Sequence, residues 1–408
     1  MEKWFFFCIL SLMFRVLLVT SLFVTSIASA DVPTNAQTDV SKDSTAQKVS
    51  VVTTSPDTTL NKVSGLTPVE GTRKENPLSF VAVGDIMMGL NYPDDQPLLP
   101  PEEGVLIFKD VKPILQNATI TVGNLEGVLL DFGGLPKSCS NPKFCYTFRT
   151  PERYVKNLVD AGFDLLGVAN NHSGDFGDTG RETTQKVLKE AGIGYAGFEN
   201  SCESFILERD GVKYGFAAFS VNRGTLRVTD FEKAKQVVSE LSAQADIVIV
   251  NMHIGAEGQK FKHITRQTEN YIGENRGNPY LFARTVIDAG ADLVFGHGPH
   301  VPRAIDLYKG RFIAYSLGNF ATSTSVNITG ASGYAPMVKV VTDHEGNFIE
   351  GKIISAIQKG PDGARRPLLD STNACVKEIK KLTEQDIPEA PIIIDSNGKI
   401  TLKSSGKE

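Results

Sequence analysis

The feature that most constrains this chain is the alternation of short apolar segments with amphipathic helical patterns. Seven apolar segments have the length of buried strands, namely residues 80–83, 118–122, 165–168, 214–219, 247–250, 293–295 and 312–316. Helical patterns such as PERYVKNLVDAG, TGRETTQKVLKEAG and PYLFARTVIDAG lie between them. The alternation predicts an α/β fold with a largely parallel layered sheet over residues 77–358. Later segments such as PMVKVVTD and FIEGKIIS predict an antiparallel set after Arg303.

Nearly every predicted strand ends in a cluster of Asp, Asn, Glu or His. The six clusters read AVGDIMMG, TVGNLEG, GVANNHSGDFG, VNMHIGAEG, VFGHGPHV and YSLGNF. Each polar residue alone has an ordinary explanation, such as a turn, a helix cap or a satisfied core histidine. Sites in α/β sheets form at the carboxyl ends of strands, so six segments ending alike predict one shared polar site.

The residue types in these clusters favour a metal site. Carboxylate, imidazole and amide oxygen ligands suit Zn, Mn or Fe better than a thiolate site or an all-oxygen Ca or Mg cage. Six candidate ligands are enough for two divalent ions that share a bridging carboxylate: Asp85, Glu126, Asn171, His253, His297 and His300. Two such ions activate water and stabilise a displacement. His172, next to Asn171, is then the expected general acid for the leaving group.

Charge and composition narrow the partners. The chain has 42 Lys and Arg against 47 Asp and Glu, for a formal net charge of −5, which argues against a nucleic-acid partner. His263 and His344 lie outside the polar clusters, and we expect both at the surface.

Both ends of the chain differ from the middle. Residues 1–30 contain an apolar run that ends in Ala28-Ser29-Ala30, which predicts a cleaved signal peptide and an exported protein, periplasmic or at the cell surface. An uncleaved membrane anchor is the alternative, although Arg15 interrupts the run. Residues 31–76 are rich in Ser and Thr and predict a disordered tether, and residues 359–408 predict a loose C-terminal extension.

Four cysteines follow the predicted signal. Cys139 and Cys145 lie in one loop, CSNPKFC, and are close enough for a local disulfide, whereas Cys202 and Cys375 meet only if the fold brings them together. Buried free thiols are the alternative.

The ordered motifs resemble the CapA family of capsule (poly-γ-glutamate) synthesis proteins over residues 78–357. That family in turn is similar to the calcineurin-like metallophosphoesterases. The resemblance implies a four-layer αββα sandwich with a two-metal site at the strand ends.

The resemblance also assigns roles to matching residues. Asp85 matches the Asp of the first motif, Asn171 with His172 the ligand and acid pair, His253 the isolated His ligand, and His297 with His300 the final pair. Five further residues are expected to support the ligands or to contact substrate: Asn124, Asn170, Asp175, Glu257 and Asn319.

The chain departs from the expected pattern at three positions. Met87 stands where phosphoesterases usually carry a His, Asn124 stands where a bridging carboxylate is expected, so that Glu126 must compensate, and Gly298 replaces a His in the fifth motif. Residues 258–277 form a longer insertion than expected, which suggests a lid or a partner loop.

Three functions agree with these observations. The first is an exported CapA-like protein of capsule or poly-γ-glutamate synthesis with a metal-dependent phosphoesterase site, acting on an anionic polymer or a phosphoester. The second is a non-enzymatic scaffold or polymer-binding protein of a membrane-bound capsule synthase complex. The third is a general periplasmic metallophosphatase. Fold analogy alone does not choose among them.

Overall fold

Strands and helices alternate along the chain in the computed structural model, which describes residues 76–139, 145–322, 326–358 and 365–403. The predicted signal peptide, and the predicted tether up to residue 75, lie outside the described residues.

The helices are α1 (Lys112–Leu115), α2 (Val155–Ala161), α3 (Gly177–Glu190), α4 (Phe231–Ser242), α5 (Pro279–Asp288) and α6 (Ala374–Asp386). The strands are β1 (Leu78–Met87), β2 (Ile120–Leu125), β3 (Val128–Leu129), β4 (Arg149–Thr150), β5 (Leu165–Gly167), β6 (Gly194–Ala196), β7 (Ser204–Arg209), β8 (Val212–Ser220), β9 (Ile247–His253), β10 (Asn270–Tyr271), β11 (Glu274–Asn275), β12 (Leu293–His297), β13 (Ile305–Tyr308), β14 (Arg311–Ala314), β15 (Asn319–Thr322), β16 (Met337–Thr342), β17 (Phe348–Ile354), β18 (Ala356–Ile357), β19 (Leu368–Leu369), β20 (Ile392–Ile394) and β21 (Lys399–Leu402).

Two large sheets contain all seven predicted strands. The first has nine strands in the order β20-β21-β17-β16-β1-β2-β5-β6, with β15 beside the carboxyl half of β1. The second has six strands in the order β13-β14-β12-β9-β8-β7. The strands of the predicted antiparallel set are divided between the two sheets: β16 and β17 extend the first, whereas β13 and β14 extend the second.

The two sheets pack face to face. Phe80 on β1 contacts Tyr214 on β8 across the interface, with ring centroids 6.0 Å apart. The alternate residues of β1, such as Val81, face the other way and pack with α1 and α2. On the far side of the second sheet, Phe219 packs against Phe282 of α5. The layer order is therefore helices, sheet, sheet, helices, which confirms the αββα sandwich expected from the resemblance.

Local sequence signals explain where several helices begin and end. The side chain of Asp230 accepts a hydrogen bond from the backbone N–H of Lys233 at the start of α4, and Asn278 caps α5 in the same way. Gly162 ends α2 in the left-handed region, with φ of +87°. Among the described residues, no helix has both the length and the apolar character that a membrane span requires.

The C-terminal segment is part of the fold, so the prediction of a loose extension is wrong for residues 365–403. Helix α6 buries an apolar face against the rest of the protein, and β21 pairs with β17 in register. The reason is periodicity: Cys375, Val376, Ile379 and Leu382 recur at helical spacing and are all buried. The Lys and Ser content of the segment concealed this pattern.

We expect Ile379→Ala to lower the free energy of unfolding by about 3 kcal/mol, because a fully buried isoleucine leaves a cavity when truncated. Chemical denaturation measures the change. Lys381→Ala, on the exposed face of the same helix, is the matched control and should change little. Equal stability of Ile379→Ala and the wild type is the result that a loose C-terminal segment would give.

Candidate metal centre

The polar clusters predicted at the strand ends meet at one edge of the sandwich. In the first sheet, Asp85 of β1 stands in register with Asn124 of β2 and with Asn319 of β15. In the second sheet, His253 ends β9 and is the register partner of His297, which ends β12. All five side chains are buried. The carboxyl ends of strands from both sheets therefore form a single polar site.

Asp85 is the centre of the contacts at this site. Its Oδ2 atom lies 3.0 Å from Nδ1 of His300, and its Oδ1 atom lies 3.4 Å from Nδ1 of His297. The Nδ2 amide of Asn124 donates a hydrogen bond of 2.8 Å to Oδ1 of Asp85. His300 has a φ of +57°, which is uncommon for a residue other than glycine and is typical of functional sites.

Several buried ligand atoms at the site have no hydrogen bond. Asp85, Glu126 and His300 offer potential ligand atoms that all lie within 4.8 Å of one another. The buried atoms without a hydrogen-bond partner among the described residues include Oε1 of Glu126, Oδ1 of Asn171, Nε2 of His253 and both ring nitrogens of His297. Buried polar atoms are normally hydrogen-bonded, so such a group requires an explanation. Carboxylate, amide oxygen and imidazole atoms fit a divalent cation.

Burial and neighbouring charge shift the ionisation of these groups. Burial lowers the pKa of His253 well below its usual value, and neutral imidazole is the form that binds a metal. Burial also raises the pKa of Glu126 to about 8. For Asp85, burial acts in the same direction, but the nearby imidazole rings of His297 and His300 hold its pKa well below its usual value.

His172 lies in a turn after β5 that fixes one side of its ring. Its Nδ1 atom is 2.7 Å from Oδ2 of Asp175, and the ring stacks on Phe148 with centroids 3.7 Å apart. The backbone N–H of His172 donates to Oδ1 of Asn170. Because Asp175 occupies Nδ1, the other ring nitrogen, Nε2, is the one available for proton transfer.

The predicted supporting residues contact the candidate ligands. Asn170 donates from Nδ2 to the carbonyl oxygen of Leu125, just before Glu126, and the Oδ1 atom of Asn319 lies 3.0 Å from Nδ1 of His300. Asn124 holds Asp85 by the hydrogen bond described above. Each amide therefore orients a carboxylate, an imidazole or the strand that carries one.

Glu257 differs from the other supporting residues because a cation already pairs with it. Its Oε1 atom accepts a hydrogen bond of 2.8 Å from Nη1 of the buried Arg276. The predicted contact between Glu257 and a substrate stays a prediction.

The structure accommodates two of the departures from the expected pattern. Met87 is buried in an apolar cluster with Phe148, the residue whose ring stacks on His172. Gly298 has a φ of +104°, and a Cβ atom there would lie 3.1 Å from the His253 ring. Glycine at this position lets the backbone turn beside His253, and both His297 and His300 still reach Asp85.

The insertion at residues 258–277 is attached to the body of the fold, which argues against a lid. The fully buried Arg303 forms two hydrogen bonds of 2.9 Å with the carboxylate of Glu269. Asp386, at the end of α6, accepts from the backbone N–H of Ile264 and lies 2.8 Å from Nδ1 of His263. Ile272, at the tip of the β10–β11 hairpin, is 73% exposed.

The remaining cysteine and histidine predictions concern residues away from the centre. Cys139 and Cys145 form a disulfide with Cα atoms 5.5 Å apart, whereas Cys202 and Cys375 are free. Half of the His263 side chain is exposed. The disulfide between Cys139 and Cys145 therefore agrees with the local pairing that their spacing in the sequence favoured.

Three residues near the site had no signal in the sequence. Lys137 lies 2.5 Å from Asp175, Phe148 covers the ring of His172, and Arg303 anchors the insertion. None belongs to a strand-end polar cluster. Only their tertiary contacts reveal them.

Fold and site together define an αββα sandwich protein with a candidate divalent-metal centre at the strand ends. The chain belongs to the family described as bacterial capsule synthesis protein PGA_cap, whose model matches residues 79–324. It is 30% identical over 283 residues to the capsule biosynthesis protein CapA of Bacillus anthracis, covering 64% of each chain. It is 32% identical over 271 residues to the PGA biosynthesis protein CapA of Bacillus subtilis (strain 168), covering 62% of this chain and 66% of that relative. The chain thus spans just under two thirds of the length of these curated relatives.

Solved structures with some likeness include two enzymes. The calcineurin-like phosphoesterase YfkN from Bacillus subtilis aligns with a TM-score of 0.40 and 14% identity, covering 76% of this chain and 98% of that chain. A 5'-nucleotidase precursor from Thermus thermophilus aligns with a TM-score of 0.40 and 12% identity, covering 77% of this chain and 59% of that chain.

Proposed function

We propose that this chain is an exported accessory protein of capsule or polyglutamate synthesis whose strand-end site hydrolyses a phosphoester with a divalent metal. The observation that carries the chemical part is the group of buried ligand atoms without hydrogen bonds around Asp85. The biological part rests on the family and on the names of the relatives. The N-terminal sequence and the disulfide support export.

The residues that would hold metal are the six predicted ligands, namely Asp85, Glu126, Asn171, His253, His297 and His300. A bound divalent ion, of which two are proposed (Mn, Zn or Fe), supplies a Lewis acid and lowers the pKa of a coordinated water.

The chain's own residues supply the proton chemistry. Asp175 accepts from Nδ1 of His172 and holds the ring, so that the imidazolium form would donate its second proton, on Nε2, to the leaving group. Phe148 covers one face of the ring and excludes water from it. Asn124 and Asn319 keep Asp85 and His300 in place by hydrogen bonds.

The test is to measure metal content in the purified protein and to assay a generic phosphodiester and a phosphomonoester with and without Mn²⁺. Bound metal in stoichiometric amount together with turnover supports the proposal. A protein that binds no metal, is inert and still binds γ-linked polyglutamate overturns it.

That outcome would support the second candidate, a scaffold that binds polymer or a membrane-bound synthase complex. One observation favours this candidate: Met87 packs against Phe148 at a position where a phosphoesterase usually has a metal-binding His. Turnover of simple phosphoesters without any effect on capsule polymer would instead favour a general periplasmic phosphatase.

Metal should also stabilise the folded protein, because only the folded state brings the ligands together. At a free Mn²⁺ concentration 100 times the Kd of the wild-type protein, we expect a gain of about 2.7 kcal/mol in the free energy of unfolding of the chelator-treated wild type. Thermal unfolding with increasing Mn²⁺ measures it. The Asp85→Asn variant, which keeps the shape of the central side chain but removes its charge, should show a much smaller gain. An equal gain in both proteins at the same Mn²⁺ concentration would mean that the ion binds elsewhere.

A further inference from the structure

Lys137 is a cation at the candidate active site to which neither the motifs nor the proposed chemistry gives a role. Its Nζ atom lies 2.5 Å from Oδ1 of Asp175 and 3.3 Å from Nδ1 of His172. The Asp175 side chain is fully buried, whereas about a quarter of the Lys137 side chain is exposed. Within the described ranges, Lys137 is the one lysine or arginine that pairs with Asp175.

The two oxygens of Asp175 have different partners. Oδ2 accepts a hydrogen bond of 2.6 Å from the backbone N–H of Phe148 and lies 2.7 Å from Nδ1 of His172. Oδ1 faces the ammonium group of Lys137. A buried carboxylate is costly unless it is paired, so the contact with Lys137 holds Asp175 in the orientation that His172 needs.

The loop that carries Lys137 is attached to the catalytic turn at both ends. The backbone N–H of Lys137 donates a hydrogen bond of 2.7 Å to the carbonyl oxygen of Asp175. Phe148 attaches the other end, through its N–H and its stacked ring. The disulfide between Cys139 and Cys145 closes the chain between these two attachments. The disulfide therefore limits the conformations in which Lys137 could leave Asp175.

We infer that Lys137 is a positioning residue: it holds Asp175, and through Asp175 the ring of His172, and the Cys139–Cys145 disulfide keeps Lys137 at the site. The kinetic consequence rests on the proposed function. The structural consequence, an ordered hydrogen bond between His172 and Asp175, does not require the protein to be an enzyme.

The first measurement reads the His172 ring directly. In protein labelled with ¹⁵N-histidine and supplied with Zn²⁺ as a diamagnetic ion, the Nδ1–H of His172 should give a downfield proton resonance that is absent from His172→Ala. We expect this resonance in the wild type and in Lys137→Arg, which keeps the charge. We expect it to broaden or vanish in Lys137→Met, which keeps the length but loses the charge, and in Lys137→Gln, which serves if Lys137→Met fails to fold.

The second measurement is kinetic. Lys137→Met should lower kcat for a phosphodiester about tenfold or more, since a small misplacement of a catalytic group is costly, while KM and metal content stay unchanged. Lys137→Arg should recover most of the loss. The double variant Cys139→Ser/Cys145→Ser should lower kcat in the same direction but less, and a reductant should affect the wild type and not the double variant.

The outcomes separate the inference from the proposed function. If the wild type is inactive, the proposed function is wrong, and the His172 resonance alone then tests the inference. A wild-type spectrum without the resonance, or a resonance that is unchanged in Lys137→Met, overturns the inference. So does a raised KM with unchanged kcat, which would mean that Lys137 binds substrate and does not position His172.

Discussion

Replacement of His172 by Ala is expected to lower kcat for phosphoester hydrolysis by about 10²–10⁴-fold while the bound metal is retained. The reason is that the Nδ1 atom of His172 is engaged by Asp175, and His172 is absent from the group of buried ligand atoms without hydrogen bonds. Under the proposed function, its loss should therefore remove a proton donor and not a metal ligand. Initial rates together with metal analysis of the same preparation measure both effects.

Two further variants make this prediction specific. His297→Ala should lose metal as well as activity, because both ring nitrogens of His297 are buried without hydrogen bonds. His344→Ala should change neither quantity, because the His344 ring lies in an exposed contact with the backbone of Asn76, away from the strand-end site. Loss of metal from His172→Ala would identify His172 as a metal ligand. Full activity of His172→Ala would show that His172 is not the general acid.

Replacement of Arg303 by Met is expected to lower the free energy of unfolding by about 4 kcal/mol, because it leaves the Glu269 carboxylate buried without its cation. Arg303 also donates to the carbonyl oxygen of Ala256, next to Glu257. The variant should therefore loosen residues 258–277 in addition to destabilising the fold. Chemical denaturation measures the first effect, and hydrogen exchange or limited proteolysis of the insertion measures the second.

An exposed ion pair provides the matched control. Lys309 and Asp288 are separated by 2.7 Å, but both side chains are about half exposed. Lys309→Met should leave the free energy of unfolding nearly unchanged, since solvent screens the pair. If Arg303→Met proves equally mild and the insertion keeps its protection from exchange, the insertion is held by other contacts.

The sequence was informative about the site because strand ends are readable from local patterns. Asp85, His253 and His297 each follow an apolar segment, and a parallel arrangement brings such ends to one edge. Local patterns gave the wrong prediction for residues 365–403, where exposed lysines stand between the buried residues of α6 in the sequence. The roles of the individual ligands stay predictions until metal is measured.

The alternation of apolar and polar segments by itself indicated the α/β class and the polar residues at the strand ends, and the family resemblance implied the layer order. Only the tertiary structure decided which further residues support them: Lys137 beside Asp175, Phe148 on the ring of His172, and Arg303 inside the insertion. The physical reason is distance along the chain. Periodicity and turn signals act over a few residues, whereas Lys137 and His172 are 35 residues apart, and Arg303 and Glu269 are 34 apart. Such pairs form only when the folded sheets bring separate loops together.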